Sequence, residues 1–450
     1  MSRACYHFIG IGGIGMSGLA RILLARGDSV SGSDITSNYV TEGLIQAGAK
    51  VHLGHSASHI SQKATIVYST DIKPDNPEYL QAQHLNCQLL HRSDLLMDLM
   101  KGHKTLAVAG THGKTTTSSL LAHTLFFAGL NPGFAVGGII KQFNANAAYG
   151  VGDYFVAEAD ESDGTFLKYE PYSAIITNID LDHMNFFHTE EALIESFKQF
   201  ADKVICKEKL LWCGDDPRLQ KLDLPGISYG FNDKCQLRIS NPRQFQWRLM
   251  FDIHFSGRLY YNVEVPMTGN HNVLNAAAVF GTAIVAGLSE PTVRESFTSF
   301  KGVKRRCEVK GNPREILILD DYAHHPVEIE TTLKGIRNAI GTKRLVAIFQ
   351  PHRYTRTRDC LGEYRSIFES ADSTIITDIY SAGEPAIPGI THEKIVSEIA
   401  ETTKNLHYVP RKELLAFLPT YLKPNDVVVT LGAGDITKLS QELVSALQNS

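Results

Sequence analysis

The residues able to do chemistry in this chain gather in short runs. Gly110-Thr111-His112-Gly113-Lys114-Thr115, followed by Thr116, lies between an apolar run, Thr105 to Ala109, and a helix-forming stretch. In such a turn, backbone N–H groups face phosphate oxygens, Lys114 adds positive charge, and the Thr115 hydroxyl can ligate Mg²⁺. The usual phosphate loop begins on a glycine where this chain has Val108, so the match is partial. The strand–loop–helix setting nevertheless points to ATP or GTP. Downstream, Glu158-Ala159-Asp160-Glu161-Ser162-Asp163 and Asn178-Ile179-Asp180-Leu181-Asp182-His183 each follow an apolar run. Carboxylates at the C-terminal ends of parallel strands point into the ligand crevice. Four acids within six residues are costly unless cations or donors neutralise them. A lone His183 would read as structural; beside that cluster it becomes a metal-ligand candidate.

A second glycine loop opens the chain. Gly10-Ile11-Gly12-Gly13-Ile14-Gly15 follows a strand and starts a helix, and Asp34 stands 19 residues after Gly15. Glycines there let the backbone approach a pyrophosphate at a helix N-terminus, and the acid suits a ribose hydroxyl. Taken alone, the loop fits a dinucleotide such as NAD, another diphosphate nucleotide such as a nucleotide sugar, or a tight turn that binds nothing.

These runs need parallel strands to position them. Apolar strands alternate with helical stretches along the chain, the pattern of parallel α/β sheet. Three blocks are expected: residues 1–100, 101–304 and 305–450. The first reads as Rossmann-like. The second is a phosphate-loop parallel sheet with a small antiparallel-patterned side sheet over about residues 225 to 265, and Lys101 to Lys104 links it to the first. The third again alternates strands with helices. The length of 450 residues suits about three domains. Lys plus Arg total 44 against 48 Asp plus Glu, a net charge of −4, which argues against a protein that coats nucleic acid or anionic membrane. No apolar run reaches the roughly 18 residues of a membrane helix, and the N-terminus lacks the pattern of a signal peptide. Seven widely spaced cysteines without C-x-x-C indicate neither a disulfide framework nor a zinc site, which fits a reducing cytoplasm.

Taken together, the runs resemble the Mur ligases, which build the peptide of bacterial peptidoglycan. GTHGKTTT, EADESDGTF, NIDLDHM, GNHNVLNAAA at Gly269 to Ala278, GVKRRCE at Gly302 to Glu308 and DDYAHHP at Asp320 to Pro326 occur in the family's order. GIGGIGMSGLA, FQPHRYTRT at Phe349 to Thr357 and YSAGEPAIPG at Tyr380 to Gly389 are similar to the branch that joins L-alanine to UDP-N-acetylmuramate. One departure is Ala323, where that branch more often has glycine. Members that add a preformed tripeptide to the same sugar tend to have alanine there but usually lack HRYTRT.

The resemblance implies an ATP-dependent ligase that forms an acyl phosphate and releases ADP and phosphate, acting as a monomer or homodimer. It replaces NAD with the diphosphate of a UDP sugar at the first loop: Gly12, Gly13, Ile14, Gly15 and Asp34, with Ser69, Thr70 and Arg92 holding the uridine or its phosphates. It gives Gly110, Thr111, His112, Gly113, Lys114, Thr115 and Thr116 to the ATP phosphates, and Asn272 and Asn275 to adenine. Arg306 is implied to face phosphate and Asp321 the ribose. Thr115 and Glu158 would hold one Mg²⁺, and His183 with Glu158 a second, although His is an unusual Mg²⁺ ligand. The third domain would be Rossmann-like, with Tyr322, His324, His352, Arg353 and Arg356 forming the amino-acid pocket and the arginines on its carboxylate; by residue type either histidine is a base candidate, with water as the alternative. Domain closure would complete the ATP site. Rival readings are a nucleotide-dependent regulator, which leaves the arginine-rich third block unexplained, and a dehydrogenase, which leaves GTHGKTTT unused.

Overall fold

The structure, a computed structural model, describes residues 4–37, 39–403 and 405–449. Its strands form three sheets. The first contains β1 (Cys5–Ile9), β2 (Ser29–Asp34), β3 (Lys50–Leu53), β4 (Thr65–Tyr68) and β5 (Leu89–His91), in the order β3-β2-β1-β4-β5, all parallel. The order reverses between β1 and β4, so the crevice of this sheet opens at their C-terminal ends. The glycine loop follows β1, and Ser69-Thr70 follows β4.

One polar cluster is buried beneath this sheet. Glu78, fully buried, accepts from the Ser33 hydroxyl at 2.5 Å and the Ser56 N–H at 3.2 Å. It also meets His59 Nδ1 at 2.7 Å and His7 Nε2 at 3.3 Å. Burial would raise its carboxyl, but His7, Ser33 and His59 outweigh burial and hold it down at about 2.

The second sheet has ten strands: β6 (Lys104–Ala109), β7 (Gly133–Ile140), β8 (Ala145–Ala148), β9 (Tyr154–Glu158), β10 (Ser173–Ile176), β11 (Leu211–Cys213), β12 (Ile227–Gly230), β13 (Leu237–Phe245), β14 (Arg248–Phe255) and β15 (Arg258–Val265). Their order is β15-β14-β13-β12-β11-β10-β6-β9-β7-β8. The side strands expected over 225–265 therefore join the central sheet, and β12 pairs parallel with both β11 and β13. The phosphate-loop strand β6 lies between β9 and β10, parallel to both, which gathers the three candidate runs at one edge. The helix Lys114–Phe127 that follows the loop is buried along most of its length and is rich in Thr, Ser and Leu. Its buried polar groups find partners on the helix Glu290–Ser299: His123 Nε2 lies 2.9 Å from Ser296 O, and the Ser296 hydroxyl donates to Thr124 Oγ1 at 3.1 Å.

The third sheet contains β16 (Glu308–Gly311), β17 (Leu317–Asp321), β18 (Leu345–Phe349), β19 (Ser373–Ile376), β20 (Leu406–Tyr408) and β21 (Val427–Leu431), in the order β16-β17-β21-β18-β19-β20. All neighbours are parallel except β16, which runs against β17. The strand Val427-Val428-Val429-Thr430-Leu431 is buried throughout, as a parallel strand covered on both faces must be. Val427, Val429 and Leu431 pack with Phe349 and Phe368 in one core, and Val428 packs with Ile348 and Leu443 in another. Asp320 and Asp321 are the last two residues of β17.

The chain divides into two compact units. One is Met1–Asn241 with Phe251–Val263 and Leu274–Lys301; the other is Pro242–Met250 with Glu264–Val273 and Gly302–Ser450. Among the described residues, no helix is long and apolar enough to cross a membrane.

Candidate active site

In the first unit, the phosphate loop is bonded to the segment after β10. The Thr111 N–H donates to Asn178 O at 3.0 Å and the His112 N–H to Asn178 Oδ1 at 2.9 Å, while His112 Nε2 lies 3.2 Å from Asp180 Oδ2. Gly113 takes φ +85°, and a Cβ there would fall 2.7 Å from Asn275 Oδ1, so the loop needs glycine both for conformation and for the approach of Asn275. Asn272, on the first turn of the helix Asn270–Val285 and assigned with Thr268 to the second unit, donates its amide to Thr268 O at 2.8 Å.

Lys114 folds back over its loop. Its ammonium donates to Gly110 O at 2.5 Å and Thr111 O at 3.0 Å, and pairs with Glu161 at 2.7 Å. Burial would lower the lysine, yet Glu161 and Asp160 outweigh it, and the ammonium stays firmly charged. Burial pushes Glu161 the other way, up to about 7 against the pull of Lys114. Glu161 is thus the loop lysine's counter-ion. It lies inside the acidic run, but only the fold shows which of the four acids meets the lysine.

Thr115 and Glu158 lie together, with the hydroxyl donating to Glu158 Oε1 at 2.9 Å. The other carboxylate oxygen accepts from the Gly137 N–H at 2.6 Å and the Ser118 hydroxyl at 3.3 Å. A Cβ on Gly137 would fall 2.6 Å from Glu158 Oε1 and 2.9 Å from Thr115 Oγ1, filling this small space. An oxygen-only donor set in a restricted cradle fits a hard divalent cation such as Mg²⁺. His183, at φ +58°, faces Glu161 Oε1 at 3.9 Å and Asp182 Oδ2 at 3.6 Å.

The first glycine loop is closed by Asp34, which accepts from the Gly12 N–H at 2.8 Å and the Thr36 N–H at 3.1 Å. Gly13 precedes the helix Ile14–Arg26, and Arg92 reaches its first turn: a Cβ on Gly15 would lie 3.5 Å from Arg92 Nη1. Arg92 also pairs with Asp160 at 3.4 Å and Asp163 at 3.5 Å, and the Thr70 hydroxyl donates to Asp163 at 2.9 Å. One acidic run therefore serves Thr115, Lys114, Arg92 and Thr70 in turn. Asp160 stays ionised: burial raises it, but Lys114 and Arg92 outweigh burial.

In the second unit, Asp321 ends β17 with both oxygens held by backbone, the Cys307 N–H at 2.6 Å and the Ala323 N–H at 2.8 Å. Burial pushes its carboxyl up to about 6 against the pull of Arg306. The Arg305 and Arg306 guanidiniums lie 4.7 Å and 5.5 Å from the Tyr322 ring centroid. Arg305 also donates to Gly432 O at 2.6 Å. Tyr322, His324 and His352 follow one another, with ring centroids 5.3 Å and 6.2 Å apart. His324 Nδ1 lies 3.0 Å from Tyr322 O, so that nitrogen carries the proton and Nε2 is the basic one when the ring is neutral. His352 is driven down to about 3 by burial, His324 and the neighbouring arginines. Arg356 Nη1 reaches His352 Nδ1 at 3.5 Å. Arg353 precedes the helix Tyr354–Asp359, which carries Arg356 one turn later. Tyr380 and Glu384, which hold this segment, lie in YSAGEPAIPG, a run with no side-chain role legible from its residue types.

Comparison with known proteins follows this geometry. Three family models align in succession: Mur ligase family, catalytic domain, over residues 5–104; Mur ligase middle domain over 108–283; and Mur ligase, glutamate ligase domain, over 305–434. A UDP-N-acetylmuramate–L-alanine ligase of Protochlamydia amoebophila is 55% identical over 449 residues, 99% of either chain. Among solved structures, the UDP-N-acetylmuramate–alanine ligase of Thermotoga maritima matches with a TM-score of 0.87 and 27% identity, over 99% of both chains. A murein peptide ligase of Psychrobacter arcticus matches over 99% of both chains with a TM-score of 0.75 and 24% identity, a likeness of fold alone.

Proposed function

The chain belongs to the Mur ligase family, and we propose that within it the protein joins L-alanine to the carboxylate of UDP-N-acetylmuramate, converting ATP to ADP and phosphate. The observation that carries this reading is end-to-end likeness, 55% identity over 99% of both chains, to a ligase of that name. The geometry supports it with a phosphate loop whose threonine meets the last carboxylate of β9 and whose lysine meets one from the segment that follows. The family models' bounds support three domains, over residues 1–100, 101–304 and 305–450.

A carboxylate cannot release oxide, so the sugar acid must first take the γ-phosphoryl group of ATP. That step concentrates negative charge and needs fixed positive charge around it. Lys114 supplies it on the loop, exchanging its carbonyl contacts for phosphate oxygens. Thr115 and Glu158 would hold Mg²⁺, which supplies charge neutralisation at the phosphates when bound; His183, facing Glu161, is the second candidate ligand. Asn275 and Asn272 receive the adenine, Asp321 the ribose, and Arg306 a phosphate. Gly12 to Gly15 and Arg92 take the diphosphate of the UDP sugar, with Ser69, Thr70 and Asp34 beside it.

In the second step alanine's amine attacks the acyl carbon and phosphate leaves. Arg353 and Arg356 fix the alanine carboxylate. His324 is the better base of the two histidines, because its Nε2 carries the lone pair while burial and the arginines leave His352 weakly basic. The test is phosphate release from ATP and UDP-N-acetylmuramate with L-alanine, glycine, L-serine or the preformed tripeptide. L-alanine should give the highest kcat/KM; turnover with the tripeptide alone would assign the protein to the recycling branch instead.

A further inference from the structure

Arg353 takes φ +66° and ψ 140°, a strained backbone region for a residue with a side chain that survives only where neighbours over-determine it. Its neighbours do so from one short segment after β19. The Arg353 N–H donates to Tyr380 O at 2.8 Å, and the Tyr380 N–H donates back to Pro351 O at 2.8 Å. The His352 and Tyr380 rings stack at 5.7 Å and 9°. Two residues past Arg353, Thr355 gives Glu384 both its donors, the N–H at 3.0 Å and the hydroxyl at 2.7 Å. Burial would raise the Glu384 carboxyl, but the Thr355 bonds and the Arg353 guanidinium outweigh it and hold it below the usual range. The helix that follows has six residues, too few to hold its own geometry.

We propose that residues 380–384 form a strap that fixes Arg353 and Arg356 in carboxylate-binding geometry, with Glu384 as a positioning residue acting through Thr355. The proposal rests on the reading that these arginines receive the amino acid's carboxylate. Without the strap, Arg353 relaxes to negative φ and its guanidinium leaves the side of the segment it now occupies. Glu384 spends both carboxylate oxygens on Thr355, so its effect is confined to the amino-acid step.

The test compares Glu384→Ala, Glu384→Gln and Arg353→Ala in the full chain. Ligation is measured against L-alanine, ATP and UDP-N-acetylmuramate concentration, and the acyl phosphate is trapped with borohydride in the absence of alanine. Glu384→Ala should raise the L-alanine KM about tenfold or more, the scale of losing hydrogen bonds to a charged group. The other two KM values and the trapped intermediate should stay within about twofold. Glu384→Gln should fall between, since an amide oxygen accepts from one Thr355 donor while its NH₂ opposes the other. If Arg353→Ala raises the alanine KM and Glu384→Ala does not, the strap is overturned and the alanine pocket stands. An unchanged alanine KM in Arg353→Ala overturns the pocket itself. A Glu384→Ala variant that loses melting temperature and all three KM values together overturns the positioning role in favour of a structural one.

Discussion

Lys114 is the residue on which the loss of charge can be separated from the loss of structure. Lys114→Met keeps the stem and removes the ammonium. Three contacts disappear: Gly110 O at 2.5 Å, Thr111 O at 3.0 Å and Glu161 at 2.7 Å. Glu161 is only 1% exposed, and stripping the partner from a buried charge costs about 3–5 kcal/mol. The full cost is avoidable, because Glu161 already stands at about 7 with the lysine in place and rises further without it. A carboxyl raised above its unfolded value of 4.5 destabilises the fold most above its folded pKa and progressively less as pH falls toward 4.5. The variant should therefore melt close to wild type near about pH 6 and well below it near about pH 9. Adding Glu161→Gln should remove most of that difference. Activity should follow neither pH nor the second substitution: losing a charge that stabilises the transferring phosphoryl group costs about 10²–10³ in kcat. Melting temperature and phosphate release are read on both variants at both pH values. A Lys114→Met/Glu161→Gln protein within about tenfold of wild-type kcat would refute the reasoning, since Lys114 would then serve only to neutralise Glu161.

Gly137→Ala should abolish Mg²⁺-dependent turnover while ADP binding without metal survives, because the new Cβ lies 2.6 Å from Glu158 Oε1; Mg²⁺ titration of activity reads it. Arg92→Ala should raise the KM for UDP-N-acetylmuramate well over tenfold and leave the alanine KM unchanged, as expected for truncating a desolvated phosphate contact. Arg356→Ala should raise the alanine KM by a similar factor with the trapped acyl phosphate intact, and Arg356→Lys should rescue it poorly because an ammonium lacks the guanidinium fork. Glu78→Gln should cost about 3 kcal/mol at neutral pH, the size of a shift from 4.5 to about 2. That contribution is full above 4.5 and lost as pH falls toward about 2, so urea unfolding should show the wild type and variant converging in acid.

The phosphate loop was legible because its constraints are local. Glycine at positions 110 and 113, the lysine and the threonine sit in one turn between an apolar strand and a helix. The acidic runs were legible as strand ends, and the pairing of β6 with β9 and β10 puts them at the loop. What stayed hidden depends on contacts between residues far apart in the chain. His7 and Glu78 are 71 residues apart, and nothing in either neighbourhood announces a buried pair. Glu161 is indistinguishable by type from Asp160 or Asp163 until the fold aims it at Lys114. Residues 227–230 alternate like an antiparallel strand yet pair parallel on both sides, and the successive residues Ser228, Tyr229 and Gly230 are all buried, so a small polar residue and a glycine hide the second covered face. β7, Gly133-Phe134-Ala135-Val136-Gly137-Gly138-Ile139-Ile140, carries three glycines that weaken a strand signal, and one of them clears the Thr115–Glu158 space. The positive φ of Arg353 has no residue-type signature at all.

The most direct test of the ligation is to follow oxygen from the sugar acid. UDP-N-acetylmuramate is prepared with heavy oxygen in its muramic carboxylate and turned over with ATP and L-alanine, and the released phosphate is analysed by mass spectrometry. If the carboxylate takes the γ-phosphoryl group before alanine attacks, one heavy oxygen appears in each phosphate formed, and the alanyl product retains the other. Phosphate carrying no label while the alanyl product forms would contradict the acyl phosphate and, with it, the role assigned to the phosphate loop.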